Sequence, residues 1–75
     1  MKLSELKSGE HGIITKVGGE GPLRIRFLDM GIIPKTEVMV RKIAPLGDPM
    51  EIRIRGYELT IRMEDADKIE VIKED

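Results

Sequence analysis

Cysteine and tryptophan are absent from these 75 residues, and there is one phenylalanine, one tyrosine and one histidine. Without thiols the chain has no disulfide, no thiolate metal site and no cysteine nucleophile, so it must stand on packing and fits a reducing, cytoplasmic setting. Long hydrophobic runs are missing as well. Nothing approaches the roughly 18 to 20 apolar residues of a membrane span, and Lys2-Leu3-Ser4-Glu5 does not begin a secretory signal. Catalytic equipment is equally sparse: beside the single His11, the hydroxyls of Ser4, Ser8, Thr15, Thr36, Thr60 and Tyr57 sit outside any nucleophile motif. The glycines form neither GxxxxGKS/T nor GxGxxG, and Gly18-Gly19-Glu20-Gly21 has no Lys-Ser/Thr after it. A non-enzyme without a small-molecule substrate is expected.

Nor is there an excess of one charge, since 13 Lys plus Arg stand against 14 Asp plus Glu, a net of -1. The distribution is uneven. Residues 24–62 carry eight basic residues (Arg24, Arg26, Lys35, Arg41, Lys42, Arg53, Arg55, Arg62) against five acidic ones, a net of +3. After Met63, six acidic residues face two lysines, a net of -4. Nucleic-acid affinity comes from phosphate neutralisation and calls for a larger positive excess. Phe27 and Tyr57 alone also make no platform for stacked bases. A small nucleic-acid-binding barrel is therefore the lesser alternative.

What the sequence does contain is strand patterning. With 40% hydrophobic residues, no repeat and no linker, one domain over residues 1–75 is expected. In residues 50–63, Met50, Ile52 and Ile54 alternate with Glu51, Arg53 and Arg55, and then Leu59 and Ile61 alternate with Glu58, Thr60 and Arg62. That period predicts two half-buried strands. A type II′ turn at Gly56-Tyr57 would set Arg55 opposite Glu58, Ile54 opposite Leu59, Ile52 opposite Ile61 and Glu51 opposite Arg62. Residues 13–17, 36–43 and 69–72 read as three further strands. Residues 22–30 predict a helix of two to three turns, with Pro22 at its start, Leu23 and Phe27 on one face, and Gly31 positioned for a left-handed end. Five short strands with one helix after the first suggest a mainly β, partly open barrel.

The segments Leu3-x-x-Leu6-x-x-Gly9-x-x-Gly12, Arg26-Phe27-Leu28-Asp29-Met30-Gly31-Ile32, Ala44-Pro45-Leu46-Gly47-Asp48-Pro49, Ile54-Arg55-Gly56-Tyr57-Glu58-Leu59 and Ala66-Asp67-Lys68-Ile69-Glu70-Val71 follow one another along nearly the whole chain. In combination they resemble the FeoA family of ferrous iron transport proteins. The resemblance implies an SH3-like barrel similar to the C-terminal domain of iron-dependent repressors of the diphtheria-toxin-repressor type. It implies a partner, the FeoB-type membrane transporter with its cytosolic GTPase domain, and recruitment to the inner face of the cell membrane through that partner. Because the chain ends just after the family's last strand, it looks like the freestanding form.

Three sets of residues carry candidate functions. For metal, an Fe2+ site wants several converging imidazole or carboxylate ligands. His11 stands alone in the sequence, Glu10 is its nearest companion, and Glu64, Asp65 and Asp67 are a second acidic set for Fe2+ or another divalent cation. No cofactor is required by any motif, and a metal-sensing adaptor is the alternative function. For partner contact, two prolines fix residues 44–49 so that Leu46, Gly47 and Asp48 project, with Asp48 bracing its own turn. Together with Met30, Gly31 and Ile32 they are expected to form one apolar docking surface, and Tyr57 at the hairpin tip caps the barrel or anchors the partner. Met30, Met39, Met50 and Met63 are expected mostly in the core. Self-association through exposed strands stays open.

Overall fold

Two one-residue irregularities turn a flat β pattern into a coiled sheet. The computed structural model describes residues 1–74, and its five antiparallel strands lie in the order β4-β3-β2-β1-β5: β1 (His11–Val17), β2 (Glu37–Ile43), β3 (Met50–Ile54), β4 (Tyr57–Ile61) and β5 (Ile69–Glu74). In β1 the pairing with β5 skips Thr15, so the buried positions run Gly12, Ile14 and then Val17. In β2 the pairing with β3 skips Arg41 after the buried Val38 and Val40. Each extra residue bends its strand and raises its twist, which wraps the apolar face inward. The fold is mainly β, with five strands and one short helix after the first, as expected.

The core gathers Ile14, Val17, Val38, Val40, Met50, Ile52, Ile54, Ile61, Ile69 and Val71 from the strands. Leu3 and Leu6, around a short 3-10 turn at Leu3–Glu5, and Phe27 of helix α1 (Pro22–Asp29) complete it. Phe27 is the largest fully buried side chain. Helix α1 ends as its sequence predicts. Gly31 is left-handed at φ 88°, its N–H donates to Leu28 O at 3.0 Å, and Ile32 N–H donates to Phe27 O at 3.0 Å. Those two bonds satisfy carbonyls the last turn would otherwise leave open, and Ile32 and Phe27 are both buried in the core at this end.

The outer edge of β5 is covered by the first residues: Val71 N–H donates to Met1 O at 2.7 Å, and Lys2 pairs with Glu70. At the other edge, β4 leads into a short helix α2 (Met63–Ala66) that carries the chain across to β5. Ala66 of α2 is fully buried and belongs to the core.

The hairpin register also differs from the expected one. Ile54 faces Tyr57, Arg53 faces Glu58, Ile52 faces Leu59, Glu51 faces Thr60 and Met50 faces Ile61. The turn residues are Arg55 and Gly56, both left-handed at φ 52° and 85°. Positive φ at both central positions matches the twist of the strands, and glycine takes the second position without Cβ strain. Moving the turn by one residue moves every pair by two, so each side chain keeps its face; alternation alone does not separate the two registers. The expected Arg55–Glu58 and Glu51–Arg62 pairs are not formed. Glu58 pairs with Arg41 at 3.0 Å, and Arg62 lies near Glu64 at 4.0 Å.

Candidate functional site

The loop of residues 44–49 joins β2 to β3 and holds one large apolar side chain almost wholly in solvent: Leu46 is 97% exposed. Its base is closed by backbone bonds, Gly47 N–H to Ala44 O at 2.7 Å and Ala44 N–H to Pro49 O at 3.0 Å. Asp48 does not brace its own turn. Its Oδ1 accepts from Met63 N–H at 3.1 Å, which places a carboxylate on the first turn of α2, where an otherwise orphan donor waits. The loop tip is therefore anchored from two sides while Leu46 stays uncovered.

Met30, Gly31 and Tyr57 come together elsewhere. The Tyr57 hydroxyl donates to the Met30 carbonyl at the end of α1, and the ring remains 44% exposed. Tyr57 thus both caps the helix end and keeps an aromatic face in water. Ile32 does not join this surface, because it is 0% exposed and belongs to the core. The expected single docking surface is also divided. Residues 44–49 precede Met50 at one end of β3, whereas Tyr57 faces Ile54 at the other end, and a five-residue strand is about 13 Å long between its terminal Cα atoms.

The metal candidates are redistributed as well. Glu64 pairs with Arg62, Asp65 with Arg26 at 3.5 Å, and Asp67 accepts from the Ser4 hydroxyl, so this acidic set points to three different partners. Glu10 turns away from His11. It meets Lys73 Nζ at 2.6 Å and accepts from Lys7 N–H at 2.7 Å, and the Lys73 hydrogen bond, then the Lys7 N–H, hold its carboxyl below the usual value. His11 itself lies on a central strand, not at an edge, opposite Met39 of β2 and Glu74 of β5.

On that face the structure assembles a group the sequence did not show. His11 Nδ1 lies 3.8 Å from Glu37 Oε2 and 3.7 Å from Glu74 Oε1. One carboxylate comes from each neighbouring strand, Glu74 directly opposite His11 and Glu37 diagonally, two residues before Met39. The only signal for Glu37 and Glu74 is strand register, since they stand 37 positions apart in the chain. Beside the cluster runs an open groove of about 510 Å³ lined by His11, Thr36, Glu37, Met39, Arg53 and Arg55.

Comparison with known proteins is consistent along the whole chain. The FeoA domain family model matches residues 1–73. The Fe(2+) transport protein A/Fe(2+) transporter FeoB fusion protein of Porphyromonas gingivalis is 45% identical over 71 residues, which are 95% of this chain and 8% of that protein. The chain thus spans a small fraction of the length of this curated relative. The FeoA protein of Chlorobium tepidum is 42% identical and superposes with a TM-score of 0.88, over 95% of this chain and 68% of that one. Two more distant structures show the fold alone. One is the zinc-complexed FeoA of Stenotrophomonas maltophilia, described as an SH3 domain protein (21% identity, TM-score 0.84, 96% and 89% covered). The other is the IdeR of T. acidophilum (15% identity, TM-score 0.86, 99% and 34% covered).

Proposed function

This chain belongs to the FeoA family, and on that basis we propose that it is a non-catalytic accessory module of Fe2+ transport that binds a FeoB-type transporter on its cytoplasmic side. The observation that carries the reading is the fusion relative: a segment 45% identical to this chain shares one polypeptide with a Fe2+ transporter. Covalent linkage raises the effective concentration of a module at its target, and it is useful where the two parts work in contact. A separate chain with the same surface would meet the same target by diffusion.

The surface we assign to that contact is the tip of the 44–49 loop, with Leu46 as the apolar anchor and Gly47 and Asp48 as its rigid support. Met30, Gly31 and Tyr57 form a second contact at the opposite end of β3. Leu46 is the most exposed large apolar side chain among the described residues. A fixed backbone beneath it keeps the ordering cost of docking low. A module without chemistry of its own alters a transporter only by binding one of its conformations better than another, which shifts that conformation's population. Among the described residues no helix is long and apolar enough to cross a membrane, so membrane association would come from the partner.

The test is Fe2+ uptake into vesicles carrying the FeoB-type transporter, with its GTP turnover followed in parallel, with and without this chain. A change in either rate that disappears with Leu46→Ser supports the reading. Unchanged uptake and turnover at saturating chain would reject it.

A further inference from the structure

The outer face of β1 brings His11 together with a carboxylate from each neighbouring strand. Two carboxylates converge on one imidazole, and the three candidate ligand atoms all lie within 4.8 Å of one another. Among the described residues, neither Glu37 nor Glu74 has a lysine or arginine within ion-pair distance. Each has only His11. Elsewhere the acidic side chains nearby do have cations: Glu10 takes Lys73 and Glu58 takes Arg41. With a neutral imidazole, two like charges face one another across His11, an arrangement that destabilises itself and that a divalent cation would relieve.

The geometry suits such an ion. With metal–nitrogen and metal–oxygen bonds of about 2.1 Å, two ligands at a tetrahedral angle stand about 3.4 Å apart. The His11–carboxylate separations of 3.7 and 3.8 Å therefore need only a few tenths of an ångström of closure, and the two carboxylates, within 4.8 Å of each other, need at most about 1.4 Å. Both glutamates reach that by side-chain rotation, because their side chains are 65% and 42% exposed and unconstrained by packing. The imidazole sits on β1, an interior strand next to the edge strand β5, and its backbone is held by pairing on both sides. One nitrogen and two carboxylate ligands favour first-row transition metals over Mg2+ or Ca2+, which prefer all-oxygen shells. The Met39 thioether opposite His11 is too soft a ligand for Fe2+ and is left outside the set.

We propose that His11, Glu37 and Glu74 form an exchangeable site for a divalent first-row transition-metal ion, open to solvent on its outer side. Three protein ligands leave at least one coordination position for water or for a donor from another molecule, as in sites that exchange their metal or bind substrate rather than closed structural sites. Arg53 and Arg55 line the same groove, and their charge moderates the affinity, which suits release as well as capture. The site does not rest on the transporter reading and goes beyond it.

The test uses the chain alone. Under anaerobic conditions Fe2+ is titrated into the isotopically labelled protein, and Zn2+ in a parallel series, with the His11 ring and backbone amides followed by NMR. Saturable one-to-one binding is expected. Zn2+ should shift the His11 ring nitrogens, and Fe2+ should broaden resonances centred on residues 11, 37 and 74. Glu37→Gln, a surface change that preserves shape, should weaken binding on the order of 10- to 100-fold, the range seen when metal-site support is removed, and His11→Gln should do the same or more. Binding of equal strength in Glu37→Gln, broadening centred on residues 64–67, or no saturation at millimolar metal would each overturn the proposal. No transporter is present, so failure here leaves the accessory reading intact, and failure of that reading leaves this one.

Discussion

The hydroxyl of Tyr57 donates to the carbonyl of Met30, tying the first residue of β4 to the end of α1. That carbonyl belongs to the last turn of the helix, where no intrahelical donor reaches it. The hairpin therefore finishes the helix, and the helix positions the hairpin's aromatic side chain. Replacing Tyr57 by Phe keeps the ring and removes only the bond. A stability loss of about 0.5–1.5 kcal/mol is expected in urea unfolding, with an unchanged denaturant slope.

Gly31 sits beside that bond. An added methyl would lie 3.0 Å from the Tyr57 hydroxyl on a backbone at φ 88°. Gly31→Ala therefore combines a left-handed penalty of roughly 1–2 kcal/mol with crowding of the cap. Thermal unfolding should show a loss larger than that of Tyr57→Phe, and the Ile32 amide should exchange faster with solvent.

Phe27 is the one aromatic ring in the core, and it joins α1 to the sheet. Phe27→Ala should cost about 3–5 kcal/mol, a large share of what a domain of this size has. Circular dichroism melting would detect it, and a loss under about 1 kcal/mol would mean that the barrel does not depend on α1.

Glu10 gives a pH-dependent contribution with a definite sign. Its carboxyl is held below its ordinary value chiefly by the Lys73 hydrogen bond and then by Lys7 N–H. The folded state thus binds this proton less readily than the unfolded chain. The contribution is present above the unfolded carboxyl's pKa and is lost as pH falls through the lower folded value. In a carbon-detected titration Glu10 should titrate below the ordinary carboxylate range, and Lys73→Gln should bring it back toward that range.

Much of the fold was legible because local chemistry dictates it. The Pro22 start and Gly31 end of α1, the alternation of β3 and β4, and the β-branched runs of β1 and β2 each follow from backbone preference or from one-sided burial. The turn register was not legible, since pairings two residues apart bury the same set and only the twist preference for two positive φ values decides between them. The burial of Ala66 was not legible either, because it depends on where the short helix α2 packs. The candidate site suffered most. Ile32 was read as surface although the left-handed Gly31 end folds it back beside Phe27 into the core, and the His11 companions arise from the pairing of β1 with two different strands. Long-range register places them, and no local pattern encodes it.

The most direct measurement of the central claim is an amide NMR titration of this chain with the cytosolic domain of a FeoB-type transporter from the same organism, repeated with Leu46→Ser. Leu46 makes no core contact and is nearly fully exposed, so the variant should fold with unchanged stability, within about 0.5 kcal/mol. Saturable shifts centred on residues 45–48, with a second set at 30–31 and 57, are expected, and Leu46→Ser should weaken binding at least several-fold. Binding whose shifts leave both regions still would contradict the assigned surface, and no binding to the cytosolic or the full-length transporter would contradict the accessory role itself.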